Sequence, residues 1–66
     1  MAIIHVNEVR LTLREQQVLD CILECMTVKE TAKYLHISPK TVEFHRTKIF
    51  AKYHVSDHKK LIKKLK

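Results

Sequence analysis

The chain has no glycine and a single proline, Pro39. Strand-and-hairpin folds lean on glycine and proline at their turns, so this chain is directed toward helices joined by tight connections. The helix starts can be read from their caps. Thr12-Leu13-Arg14-Glu15 and Thr27-Val28-Lys29-Glu30 are capping boxes. In each, the threonine oxygen accepts from a first-turn N–H while the glutamate reaches back to the cap. Ser38-Pro39 places a cap residue before a proline at the first helical position, where a missing N–H does no harm. Ser56-Asp57 is a fourth, weaker start. These signals predict an all-α fold of four helices, at about residues 13–25, 28–35, 39–53 and 57–65.

Helical periodicity then sorts inward from outward residues. Val18, Leu19, Ile22, Leu23 and Met26 share an arc of the first helix, with Cys21 and Cys25 at its edge. Ala32 and Leu35 are the inward candidates of the second; Leu61, Ile62 and Leu65 form an apolar stripe among the lysines of the fourth. The third helix is different. Val42, Ile49 and Tyr53 fall within about 40° of one another at about 100° per residue. Phe44 falls roughly opposite, on an arc shared with Lys40, Thr47, Lys48 and Ala51. A phenylalanine on the wet side of a basic helix needs a reason. Residues 1–10 read as an N-terminal arm whose Ile3, Ile4, Val6 and Val9 could cover the core or meet a partner chain. The other 56 residues are enough for one domain with one small core, helped by self-association.

The net charge of +6 is unevenly spread. Residues 1–35 carry four basic and five acidic side chains, residues 36–66 nine basic and two acidic. A basic half is the electrostatic footprint of a polyanion partner, although a lysine surface also serves solubility. The two cysteines stand four apart, a helical spacing that suits core packing in a reducing compartment. No apolar run approaches the roughly 18 residues of a membrane span, and no signal-peptide pattern opens the chain. A cytoplasmic location is expected. Paired carboxylates, a nucleophile–histidine set and a glycine loop are all lacking, which speaks against an enzyme and against a cofactor. His54, His58, Cys21 and Cys25 do not converge along the sequence, so no metal site is expected.

The second and third helices are joined only by His36-Ile37-Ser38. Short helix, tight turn and longer basic helix is the helix-turn-helix layout, here about residues 27–46, in which the second helix lies in the major groove. Ala32 is small, as a close crossing demands; Ile37 would plug the gap between the two helices and Val42 would meet them. Leu11-Thr12, Arg14-Glu15, Val18-Leu19, Lys29-Glu30, Ala32, Leu35, Ile37-Ser38, Thr41-Val42, His45, Ile49, Lys52 and Val55 stand in a known order and spacing. On these residues the chain resembles the LuxR/FixJ/GerE family of bacterial DNA-binding domains, from about Leu11 to Leu65. The run TVEFHR at Thr41–Arg46 looks most like the FixJ-type subgroup.

The resemblance implies a four-helix effector domain at 11–66 and a transcription regulator that binds double-stranded DNA. It also implies dimerisation, often through the fourth helix. RNA polymerase or another regulator would be a further partner, and no membrane is involved. Most members carry this domain behind a receiver or ligand-binding domain. Only ten residues precede it here, and the initial methionine favours a stand-alone, GerE-like member over an excised fragment. There are departures. Cys25 and His54 stand where the family usually has glycine, which predicts differently shaped ends for the first and third helices. Val28, Thr31 and Tyr53 replace the usual asparagine, isoleucine and leucine.

The family's base-contacting positions map onto Glu43, Phe44 and Thr47. An aromatic ring can pack on a thymine methyl, and a glutamate can accept from cytosine N4. Glu43 could equally pair with Lys40 or Arg46, and Phe44 could meet the arm or another chain. Lys40, Thr41, Arg46, Lys48 and Lys52 are the phosphate candidates, and the helix start at Thr27 could offer backbone N–H groups. Thr41 could instead serve only the first helical turn, and Lys52 only the end of its own helix. His45 is expected to make a structural hydrogen bond. Lys59, Lys60, Lys63, Lys64 and Lys66 form either a solvated face or an extension of the DNA footprint. His58, Leu61, Ile62 and Leu65 are the dimer-interface candidates. A competing function is that of a protein-interaction module, which pairs with full-length regulators and modulates them without binding DNA.

Overall fold

The local signals at 12, 27 and 38 start helices where they predict. The computed structural model describes residues 9–66 and contains α1 (Leu13–Leu23), α2 (Val28–Leu35), α3 (Pro39–Tyr53) and α4 (His58–Leu65). The fold is all-α. The arm lies outside the described residues, apart from Val9 and Arg10. In the first box Thr12 Oγ1 accepts from the Glu15 N–H at 3.1 Å, and Glu15 Oε1 accepts from the Thr12 N–H at 3.0 Å. Thr27 and Glu30 repeat this at 3.1 and 2.8 Å. Ser38 Oγ accepts from the Thr41 N–H at 3.1 Å, with Pro39 as the first helical residue. Asp57 caps α4 through the Lys60 N–H, and that bond holds its carboxyl below the usual range.

Helix ends are where glycine is normally needed, and here they are closed without it. Cys25, His36 and His54 have φ of 63°, 59° and 59°, in the left-handed region. Each sits in the same hydrogen-bond pattern. Met26 N–H donates to the Cys21 carbonyl, Ile37 to Ala32 and Val55 to Phe50, each at 3.0 Å. A second bond closing a smaller ring accompanies each, from Cys25 to Ile22, His36 to Lys33 and His54 to Ala51, at 2.9, 3.4 and 3.2 Å. This is the paired 6→1 and 5→2 closure of a Schellman end. The expectation that the ends at Cys25 and His54 take another shape is therefore not met. The closure is kept because the next residue in each case, Met26, Ile37 or Val55, is apolar and half-buried. The bend also explains why α1 stops two residues before the predicted limit.

The core is made by Val18, Leu19 and Ile22 of α1, Ala32 of α2, Val42 and Ile49 of α3, and Leu61 of α4. α3 is the hub, packing on both α1 and α2. Ala32 is buried at the crossing, with Val42 in the same cluster and Ile37 of the connecting turn packed against it. The substituted positions are absorbed: Val28 and Tyr53 pack against the core, and Thr31 is buried. Burial also pushes the Cys21 thiol up, against a smaller opposite pull from a hydrogen bond with Thr31.

Among the described residues one charged group is inside. Glu15 is 1% exposed, on the stripe it shares with Val18, Leu19 and Ile22. The Lys52 ammonium, reaching across from α3, lies 2.6 Å from Glu15 Oε1 and donates to the Arg10 carbonyl at 3.0 Å. The Lys52 bond, followed by the Thr12 N–H, holds the Glu15 carboxyl below the usual range.

Candidate nucleic-acid interface

With Val42 and Ile49 directed into the core, the helical period sends the opposite side of α3 outward. Lys40, Glu43, Phe44, Thr47, Lys48 and Ala51 are all exposed and follow one another at i, i+3 or i+4 spacing. They form a ridge along the whole helix. Phe44 is 58% exposed in its middle. It is not covered by any other part of the described chain, so the contact with the arm considered for it falls outside the described residues. Two neighbours of its ring stand on its own helix. The Lys48 ammonium lies 5.0 Å from the ring centroid, within cation–π range, and the His45 ring meets it edge-on at 5.6 Å.

The three base-contact candidates thus share one open surface. Thr47 Oγ1 donates to the Glu43 carbonyl at 3.0 Å. Its one donor is used inside the helix, leaving its lone pairs and methyl for a partner. No ion pair ties the Glu43 carboxylate among the described residues.

The basic candidates separate into two groups. Lys40 and Lys48 are exposed on the ridge. Arg46 is half-buried, its guanidinium 5.4 Å from the Phe50 centroid, and it lines a shallow hollow with Val28, Glu43, Thr47 and Phe50. That hollow brings the start of α2 beside the middle of α3. The N–H groups of Thr27 and Glu30 are already occupied by their capping box, which leaves those of Val28 and Lys29 at the helix start for a phosphate. Thr41 is tied into the cap of α3, its hydroxyl 2.8 Å from Ser38 Oγ. Lys52 is placed elsewhere. Its ammonium is engaged by Glu15 and Arg10, a role inside the fold beside the phosphate contact expected of it.

An exposed basic ridge on the second helix of a helix-turn-helix unit can be compared with known proteins. The model of the family described as "Bacterial regulatory proteins, luxR family" matches residues 9–65. The chain belongs to the luxR family. It is a helix-turn-helix DNA-binding domain of that kind. It is 42% identical over 55 residues to the transcriptional regulatory protein UhpA of Escherichia coli, covering 83% of this chain and 28% of UhpA. UhpA of Salmonella typhimurium is 47% identical over 47 residues, covering 71% of this chain and 24% of the relative. The uncharacterised response regulatory protein YgeK of Escherichia coli is 44% identical over 54 residues, covering 82% and 37%. This luxR-family chain therefore spans between about a quarter and just over a third of these relatives' lengths. No solved structure matches it.

In the luxR-family domain α4 was expected to offer a dimer surface of His58, Leu61, Ile62 and Leu65. Leu61 does not belong to it: at 0% exposure it is part of the monomer core. By its period Leu61 was also the inward residue of α4, and the inward place is the one it takes against α1 and α3. Ile62 packs at the margin of the core, Leu65 is 38% exposed and His58 is exposed. Ile62 and His58 border an apolar hollow with Ile22, Met26 and Val28. A lysine of α4 and its C-cap Lys66 close other helix ends. Lys64 Nζ donates to the Tyr53 carbonyl at 2.9 Å, and Lys66 Nζ to the Leu23 carbonyl at 3.0 Å. Sequence reasoning missed these roles because the partners lie 11 and 43 residues away.

The structural hydrogen bond expected of His45 is not found at Nδ1, which is buried with no partner among the described residues. The ring packs on Phe44 instead. Among the described residues no helix is long and apolar enough to cross a membrane.

Proposed function

We propose that this chain binds duplex DNA sequence-specifically as a bacterial transcription regulator or part of one, with α3 in the major groove. Glu43, Phe44 and Thr47 face the base edges; Lys40, Arg46, Lys48 and the start of α2 at Thr27 face phosphates. The observation that carries this is the uncovered ridge of α3, which presents an aromatic ring, a carboxylate and two lysines from one helix face. An isolated solvated helix has no use for the ring, whereas a groove floor offers apolar and hydrogen-bonding edges together. The basic half of the chain, where this helix lies, supplies the sequence-independent attraction.

Two copies would act together. Paired recognition helices then enter successive major grooves about 34 Å apart. Leu65, Ile62 and His58 offer the second copy an apolar margin next to the core. Selection of bound duplexes from a random pool tests both points, because a dimer recovers a two-fold symmetric site. Phe44→Ala should then weaken binding to the selected site more than to random duplex. Equal losses on both would refute base reading by Phe44. A chain that shifts no duplex even at low salt would favour an interaction module acting on other regulators.

A further inference from the structure

The ring of Phe44 is the largest apolar group on the ridge, and its own helix fixes where it stands. Lys48 lies over the ring, one turn further along, and His45 abuts its edge. A ring held in this way loses less freedom on binding than a free one, so more of its contact energy survives as affinity. The ring has no hydrogen-bonding atom. Facing a base edge, it desolvates whatever it covers and gives nothing polar in return.

The base edges differ sharply in how they answer that. In the major groove guanine shows two acceptors, adenine an acceptor and a donor, and cytosine a donor. Thymine alone adds a methyl group at C5. Against three of the four bases the ring would cover polar atoms or meet a bare C–H. Against thymine it meets a hydrocarbon surface of matching character.

We propose that Phe44 reads the C5-methyl group of thymine in the major groove, with Lys48 and His45 as positioning residues for its ring. This deepens the proposed function and rests on α3 being the groove helix. Discrimination of thymine from cytosine at that step then comes from the methyl group and not from a hydrogen bond.

The test uses the whole chain and a duplex recovered by selection from a random pool. Each thymine is replaced singly by deoxyuridine, which removes only the methyl. Burial of one methyl-sized group corresponds to about a fourfold change in affinity. Wild-type protein should lose about that much at one thymine of each half-site and nothing at the others. Phe44→Ala should bind thymine and uracil duplexes equally. Phe44→Leu, which keeps an apolar contact, should retain part of the difference. Both variants change an exposed side chain, so circular dichroism should show wild-type helix content.

Equal binding of wild type to every uracil duplex would overturn the proposal, as would a fourfold loss that persists in Phe44→Ala. A selected site without thymine would also overturn it. Sequence-selective binding without uracil sensitivity would leave the groove-helix function standing and remove only the methyl reading. Failure to bind any duplex at low salt would remove both.

Discussion

Replacing Cys25, His36 and His54 by glycine should stabilise this domain. All three occupy left-handed backbone at φ near 60°, where a Cβ crowds the following carbonyl. That crowding costs about 1–2 kcal/mol per residue, and glycine escapes it. Glycine also frees the unfolded chain, which returns about 0.4–1 kcal/mol of the gain. All three side chains are exposed and contribute nothing to the core cluster, so little packing is lost. The net gain is about 0.5–1 kcal/mol per site. The sites close three different helices and share no hydrogen bond, so their effects should add to roughly 2 kcal/mol. For a domain of this size a gain of that order raises Tm by about 10 °C. Thermal unfolding followed by far-UV circular dichroism reads the shift. Glu24→Gly is the internal control. It is also exposed and adjoins Cys25, but its φ is −87°, where glycine brings only the entropic loss. It should lower Tm. If Cys25→Gly, His36→Gly and His54→Gly lower Tm as Glu24→Gly does, the left-handed closures are not the source of strain they are taken to be.

The Glu15–Lys52 pair makes a prediction about pH. Lys52→Met leaves a buried carboxylate without its cation and should cost about 1–3 kcal/mol at neutral pH, discounted from a fully buried pair because the Lys52 end is a third exposed. Glu15 has its folded-state pKa lowered, chiefly by Lys52, so its contribution is present above the ordinary glutamate value and lost as pH falls through the depressed one. Urea unfolding should therefore show the gap between wild type and Lys52→Met closing in acid; a gap independent of pH would assign the loss to packing of the lysine stem. On the binding side, Lys48→Ala should weaken affinity for every duplex, reduce the salt slope by about 1 and, because its ammonium also steadies the Phe44 ring, diminish the preference for thymine over uracil. An unchanged slope, measured by titration across salt concentrations, would remove Lys48 from the phosphate contacts.

What could be read from the sequence, and what could not, follows from the range of each interaction. The caps at Thr12, Thr27, Ser38 and Asp57 act within three residues, so the helix starts were legible to within one position. The ridge of α3 was legible too, because the helical period alone puts Phe44 and Thr47 opposite Val42 and Ile49. The end of α1 was harder. Without glycine the stop is carried by Cys25 in an unfavoured conformation, and the local hint is only an apolar Met26 behind it. The ion pair of Lys52 went unseen because its partner is 37 residues away. A signal did exist: Glu15 stands three, four and seven residues before Val18, Leu19 and Ile22, and a carboxylate on a core stripe demands a cation from some other element. Nine basic residues lie beyond position 35, yet Lys52, Lys64 and Lys66 hold backbone carbonyls at helix ends or at the entry to α1. Their charges still add to the long-range field that draws a polyanion in. One or two of the three ammonium donors of each are engaged within the fold, whereas Lys40 and Lys48 stand on the ridge with no hydrogen-bond partner among the described residues. A domain of this size thus divides its lysines between holding the fold together and meeting a partner, and mutation of the first group should cost stability where mutation of Lys40 or Lys48 should not.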